Sequence, residues 1–225
     1  MSSDDFSTIY DRHHSDSYKF GMDENILPLT VADTDFPTSQ KVLDAIKKRA
    51  EHPLFGYVRE LPEWKEALRK FYAHRFGLDL QSEEIGFSSN VLSAIDAFLL
   101  AFTKPGDKII INTPVYNCFF SCVEHTGRVV KEIPIIFYEG EYHLDLKGLE
   151  EAMEESHALI LCSPHNPLGF AYAIEELKAL FLLAKRKGCL ILSDEIHGPV
   201  SLDKPYLPSL CLKEAEDVVI MTSSP

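Results

Sequence analysis

From residue 85 onward, short apolar runs alternate with stretches of helical periodicity, and this rhythm leaves few folds open. The runs are Ile85–Ser88, Lys108–Asn112, Val129–Ile136, Ala158–Cys162, Cys189–Ser193 and Val218–Thr222. Strands separated mostly by helix-length segments read as parallel strands joined by crossover helices. Several runs (IIIN, ALILC, CLILS) are apolar at successive rather than alternate positions, as in strands covered by helices on both sheet faces. The expected fold class is therefore α/β, a mostly parallel sheet flanked by helices. Ligands of such a sheet bind outside the carboxyl ends of its strands.

Upstream, Val42, Leu43, Ala45, Ile46 and Ala50 share one helical face after Pro37-Thr38-Ser39. A second helix is expected from Pro62, with Trp64, Leu68, Phe71 and Tyr72 at helical spacing and Gly77 placed to end it. No short repeat or long linker marks a domain boundary. With 22 Lys+Arg against 35 Asp+Glu, the formal charge of -13 opposes a nucleic-acid phosphate backbone, and no basic run interrupts it. The opening residues are acidic and lead into no apolar run, and the apolar stretches fall far short of the ~20 residues that span a bilayer. The expectation is a cytoplasmic protein with no membrane or nucleic-acid partner. Five cysteines, Cys118, Cys122, Cys162, Cys189 and Cys211, form no CxxC pair and lack histidines at zinc spacing, so reduced core residues and no metal site are expected.

Four polar signals fall immediately after expected strands. Ser88-Ser89-Asn90 precedes a helix running from about Val91 to Phe102; the free N–H groups of a helix start suit a phosphate, although Ser or Asn before a helix is by itself an ordinary N-cap. Thr113-Pro114-Val115-Tyr116 sets an aromatic ring beside a strand end, where it either stacks on a flat ligand or packs. Ser163 to Gly169 carries two prolines and a glycine, more than a simple surface turn requires, with Asn166 as its natural polar contact. Ser193-Asp194-Glu195-Ile196-His197 puts one or two carboxylates at the sheet edge; an isolated Asp there is more often a cap.

In the order SSN, TPVY, SPHNPLG, SDEIH, these motifs resemble the fold-type I pyridoxal-phosphate enzymes of the aminotransferase class I and II group, and the resemblance covers the whole chain. Val31 to Phe36 (VADTDF), Phe55-Gly56-Tyr57 and the DEIH form of the aspartate motif are similar to the cystathionine β-lyase branch of carbon–sulfur lyases.

The resemblance implies pyridoxal 5'-phosphate as cofactor and a role for each matching position. Asp194 would hold the pyridine nitrogen protonated. Asn166 would donate to the ring's phenolate oxygen, and Tyr116 would stack on the ring. The amides of Asn90 and Val91, the Ser89 hydroxyl and Ser224 would hold the phosphate. Tyr57 would reach the phosphate of a neighbouring subunit, implying a homodimer. His197 either tunes the ring oxygen or packs. The implied domains are an N-terminal segment, 1–53, belonging to a small domain and dimer arm, and an incomplete cofactor-binding major domain, 54–225, with the C-terminal small domain missing. At least the Asn166–Pro167 peptide is expected to be cis, residues 1–36 to be poorly anchored, and some apolar side chains to be left exposed.

The family's Schiff-base lysine would lie beyond Pro225, so no catalytic residue is expected within these residues and the chain alone is expected to be inactive. The implied activity of the complete protein is β-elimination from an amino acid such as cystathionine or cysteine. The alternatives are transamination on the same scaffold and a non-catalytic module that keeps the cofactor fold. Phe170, where the branch carries a basic residue, and Gly198-Pro199, where an acidic one is common, depart from its pattern and bear on substrate more than on cofactor. A nicotinamide-binding protein is disfavoured because no G-x-G occurs among the 11 glycines.

Overall fold

The structure is a computed structural model and describes residues 5–21, 23, 25–202 and 206–223. The chain divides into two compact units, Met1–Glu60 and Leu61–Pro225.

In the first unit the periodic segment forms α1 (Gln40–Ala50), whose last turn carries Lys47, Lys48 and Arg49 against the negative end of the helix dipole. None of its residues is buried. Val42, Leu43 and Ile46 are exposed, as are Ile9, Leu27, Leu29 and Phe36, matching the expected apolar exposure. The preceding segment is tied to itself more firmly than its composition indicates. The buried Lys19 ammonium donates to Asp35 at 2.9 and 3.0 Å and to the Asp33 carbonyl, and Arg12 pairs with both Asp33 and Asp35.

The second unit opens with α2 (Pro62–Phe76), begun by Pro62 in its first turn and ended by Gly77 at φ 70°, the left-handed conformation that a side chain would resist. There follow α3 (Val91–Phe102), β1 (Lys108–Thr113), α4 (Cys118–His125), β2 (Val129–Pro134), β3 (Ile136–Tyr138), β4 (Glu141–His143), α5 (Leu146–Met153), β5 (Ser156–Cys162), α6 (Ile174–Lys187), β6 (Leu190–Asp194) and β7 (Val219–Thr222). Five strands form one sheet in the order β2-β1-β5-β6-β7, and every pairing is parallel. Two apolar layers explain why successive residues of these strands are hydrophobic. Ile109, Ile111, Ile160 and Leu192 pack under α3 and α4 with Ile95, Leu99, Phe119 and Val123. Ile110, Leu159, Leu161 and Ile191 pack on the opposite face with Leu149, Met153, Leu180 and Phe181 of α5 and α6. Each fully buried aliphatic side chain contributes about 1.5–3 kcal/mol of transfer free energy, so the IIIN and ALILC runs anchor both layers.

Two expected strands differ. Ile85–Ser88 is not a strand: it pairs with no strand among the described residues, and Ile85 packs instead with Tyr72, Leu78 and Leu80 beside α2. Apolar periodicity reports burial, not pairing. The run Val129–Ile136 breaks after Pro134, and Ile136 opens a separate antiparallel β3–β4 hairpin. Pro134 has no N–H with which to continue a ladder. The Asn166–Pro167 peptide is cis as expected, and so are Thr113–Pro114 and Ser163–Pro164.

Candidate functional site

Because all five strands run the same way, the ends of β1, β5, β6 and β7 lie along one edge. There Asp194 is in register with Cys162 on one side and Thr222 on the other. Tyr116 leaves the end of β1 and Asn166 follows the end of β5. The N-terminus of α3 reaches the same edge. Its far end leads through a short turn into the start of β1, and that end is fixed by Arg128 at the head of β2, whose guanidinium donates to the carbonyls of Leu99 (3.0 Å) and Thr103 (2.7 Å). A 12-residue helix is about 18 Å long and a six-residue strand about 20 Å, so α3 returns antiparallel along β1 and brings Asn90 back to the carboxyl edge.

At that N-terminus Asn90 is the N-cap and its Oδ1 accepts the Ser93 N–H at 2.8 Å. Ser89 and Asn90 are exposed and Val91 is half-buried, so the helix start opens to solvent. Tyr116 stands edge-on to Phe119, 5.8 Å away, with its ring partly exposed. Its hydroxyl is held in the protonated form by interaction with Cys118, by burial and by the nearby charge of Asp194, which ties the β1 and β6 ends electrostatically.

Asn166 sits half-buried in a loop with several internal supports. Its own N–H donates to the Cys162 sulfur at 3.3 Å, the His165 N–H to the Phe170 carbonyl at 2.7 Å, and the Gly169 N–H to the His165 carbonyl at 2.8 Å. His165 is buried beside the Asn112 backbone, and its ring stacks on Phe170 at 5.2 Å and 12°. Burial pulls its pKa down to about 4, so this imidazole is neutral at pH 7. The stack gives Phe170 a role of its own: its ring covers a neutral, buried histidine.

Asp194 is only 4% exposed. Burial pushes its carboxyl up to about 6, the Ile196 N–H donated to Oδ1 at 3.1 Å working the other way. No Lys or Arg pairs with it among the described residues, so this dry carboxylate stands without a cation. It is an acceptor that a protonated ring nitrogen would complete by donating its N–H. His197 is half-buried in the following turn, its imidazole shifted toward the neutral form by burial. Ser89, Asn90, Val91, Tyr116, Asn166, Asp194 and His197 thus share one edge of the sheet. Tyr57 belongs to the first unit, where it is fully exposed, and Ser224 lies outside the described residues.

The sequence model for aminotransferase class I and II matches residues 24–224. The chain belongs to the aminotransferase class I and II family. Within the family it is 35% identical to the cystathionine β-lyase PatB of Bacillus subtilis over 178 residues, which are 78% of this chain and 46% of that protein. Cystalysin of Treponema denticola, solved with a pyridoxal 5'-phosphate cofactor, superposes with a TM-score of 0.90 at 28% identity over 99% of this chain and 60% of its own. A PLP-bound C–S lyase from Staphylococcus hominis gives 0.89 at 26% identity over 98% of this chain and 58% of its own. This family member therefore spans roughly half to three fifths of the length of the relatives it matches.

Three features of this family member were not foreseen from sequence. Cys162, read only as a core residue, also supports the Asn166 backbone. Its thiol, like those of Cys122 and Cys189, is pushed up to about 12 by burial, which keeps all three protonated and inert. The aromatic stack over His165 was hidden because its partners are separated by a loop. The third is Glu195, whose carboxylate is fully buried. The only signal for it was a second acid in the SDE run directly after an apolar strand.

Proposed function

We propose that these residues form the cofactor-binding part of a pyridoxal-phosphate-dependent carbon–sulfur β-lyase acting on cystathionine- or cysteine-type amino acids. The observation that carries the reading is Asp194, a buried carboxylate with no Lys or Arg partner among the described residues, at the carboxyl end of an interior parallel strand. When bound, the cofactor supplies an electron sink for the substrate's α-carbon. Asp194 holds a proton at the ring nitrogen, Asn166 donates its amide to the ring oxygen, and Tyr116 covers one ring face. The N–H groups of Asn90 and Val91 at the positive end of α3, together with the Ser89 hydroxyl, would hold the phosphate; Ser224, implied by the resemblance as a further contact, lies outside the described residues. His197 would either tune the ring oxygen or only pack. The resemblance assigns covalent capture and movement of the α-proton to a lysine outside residues 1–225, and in a homodimer Tyr57 of one copy would reach the phosphate held by the other. The likeness to a cystathionine β-lyase and a C–S lyase supports elimination over transamination.

A chain extended past Pro225 into a complete protein tests this reading. It should release pyruvate and a thiol from cystathionine, with one pyridoxyl-lysine formed after borohydride treatment at a residue beyond 225. A new amino acid made from an oxoacid, with no thiol released, would identify an aminotransferase instead. Turnover carried by a labelled lysine within residues 1–225 would refute the assignment.

A further inference from the structure

Beside the candidate site lies a buried acid that the proposed chemistry does not use. Glu195 follows Asp194 directly, is 0% exposed, and points into a closed polar chamber. Its Oε1 accepts from the Ser193 hydroxyl at 2.7 Å and from the Ser209 N–H at 3.1 Å. Its Oε2 accepts from the Tyr206 hydroxyl and, at 3.3 Å, from the same Ser209 N–H. The Ser193 and Ser209 hydroxyls meet at 3.2 Å and close the ring of contacts. The backbone of Glu195 is held as tightly: its N–H donates to the Thr222 carbonyl at 2.8 Å, and its carbonyl accepts from the Gly198 N–H at 2.9 Å and the Ser223 hydroxyl at 3.2 Å. One residue thereby ties the end of β6 to the end of β7 and to the 206–209 turn.

We infer that Glu195 is a positioning residue, clamped by Tyr206 and Ser209, that fixes the turn aiming Asp194 at the ring nitrogen. This rests on the cofactor reading above. Asp194's side chain is held by the Ile196 N–H, and Glu195 is the residue between them. Enclosure by Ser193, Tyr206 and Ser209 keeps the Glu195 carboxylate from touching a ligand, so it acts through its neighbour. A filler for the space alone would be apolar, since burying a carboxylate costs several kcal/mol unless its lone pairs are met. Charge-assisted hydrogen bonds are shorter and more directional than neutral ones, which suits the sub-ångström placement that a site carboxylate needs.

Gly198 belongs to the same device and explains a departure from the lyase pattern. A Cβ there would lie 2.4 Å from Tyr206 Cζ and 2.8 Å from its hydroxyl oxygen, so any side chain would push Tyr206 off Glu195. The Tyr206 ring also packs against Phe76 of α2, 5.3 Å away and edge-on.

The test uses the 225-residue chain, with Tyr206→Phe removing one donor while keeping the ring, and Glu195→Gln removing the charge. Three readouts are taken: pyridoxal-phosphate affinity, the 15N shift of the labelled pyridine nitrogen in the bound cofactor, and hydrogen exchange of the Ile196 amide without cofactor. Folded variants should bind about 10- to 100-fold more weakly, the range seen when outer supports of a site are removed. Their 15N shift should move toward unprotonated pyridine, and Ile196 should exchange faster. If Glu195→Gln does not fold, Tyr206→Phe decides alone. Wild-type affinity, an unchanged 15N signal and unchanged Ile196 exchange in a folded Tyr206→Phe would overturn the inference. Failure of the cofactor reading looks different: the parent chain does not bind, or Asp194→Asn binds as well as the parent does. In that case Ile196 exchange still decides, faster exchange in Tyr206→Phe supporting the clamp and unchanged exchange overturning it.

Discussion

Asp194 carries a stability cost that its pH dependence should expose. Its folded carboxyl keeps the proton up to about pH 6, whereas an unfolded aspartate releases it near 3.8. Between those values the native state binds more protons, so this residue's contribution falls as pH rises. Two pKa units correspond to about 3 kcal/mol. Relative to the parent at each pH, Asp194→Asn should therefore gain up to about 3 kcal/mol between pH 4 and pH 7, measured as the difference between two urea-unfolding series without cofactor. A constant difference across that range would show that the carboxylate is not held in a dry site. His165 works the other way, because an unfolded imidazole takes its proton near 6.5 and the buried one only near 4; acid should destabilise the chain through it over that window. The candidate residues Asp194, Asn166, Tyr116 and the Ser89–Val91 helix start could be picked out in the sequence because each lies within four residues of the end of an apolar run. Glu195's partners were not, since Tyr206 and Ser209 meet it across a turn that no periodicity announces.

Among the elements, α3 has a defined anchor. Arg128 is buried and its guanidinium meets the carbonyls at the helix's last turn as well as the Thr103 hydroxyl at 2.9 Å. Removing it leaves buried carbonyls unmet. Arg128→Met should cost about 2–4 kcal/mol in chemical denaturation, at 1.5–3 kcal/mol for each hydrogen bond to a charged group less what relaxation recovers. A loss below about 0.5 kcal/mol, the level of an ordinary surface change, would mean that α3 is held by its apolar face alone. Similarly, Gly198→Ala should destabilise the end of β6, read as faster exchange of the Glu195 and Gly198 amides. The strands of the sheet were legible because helices cover both faces, which makes IIIN and ALILC continuously apolar. Ile85–Ser88 misled for a related reason: Ile85 is buried, but by α2, with no strand beside it. Pro134 and the β3–β4 hairpin were within reach of the sequence, had the missing N–H of proline been weighed against the apolar run.

Across the whole molecule, the parallel sheet, the two helical layers and the convergence of four loop signals at one edge follow from the order of elements, and this is why motif order alone indicated the fold. The Lys19–Asp35 pairing in the first unit was not legible, because charges separated by 16 residues carry no periodic signature. Among the described residues no helix is long and apolar enough to cross a membrane. Under the proposed function, the carboxyl edge of this sheet binds pyridoxal phosphate with Asp194 against the ring nitrogen. Absorbance titration of the 225-residue chain with the cofactor, beside Asp194→Ala and Asn166→Ala, tests it directly. Saturable one-to-one binding by the parent, weakened at least about tenfold by Asp194→Ala, at least the 1.4 kcal/mol expected of a lost charged contact, is the predicted result. Equal binding by the parent chain and Asp194→Ala, or no binding by the parent, would contradict it.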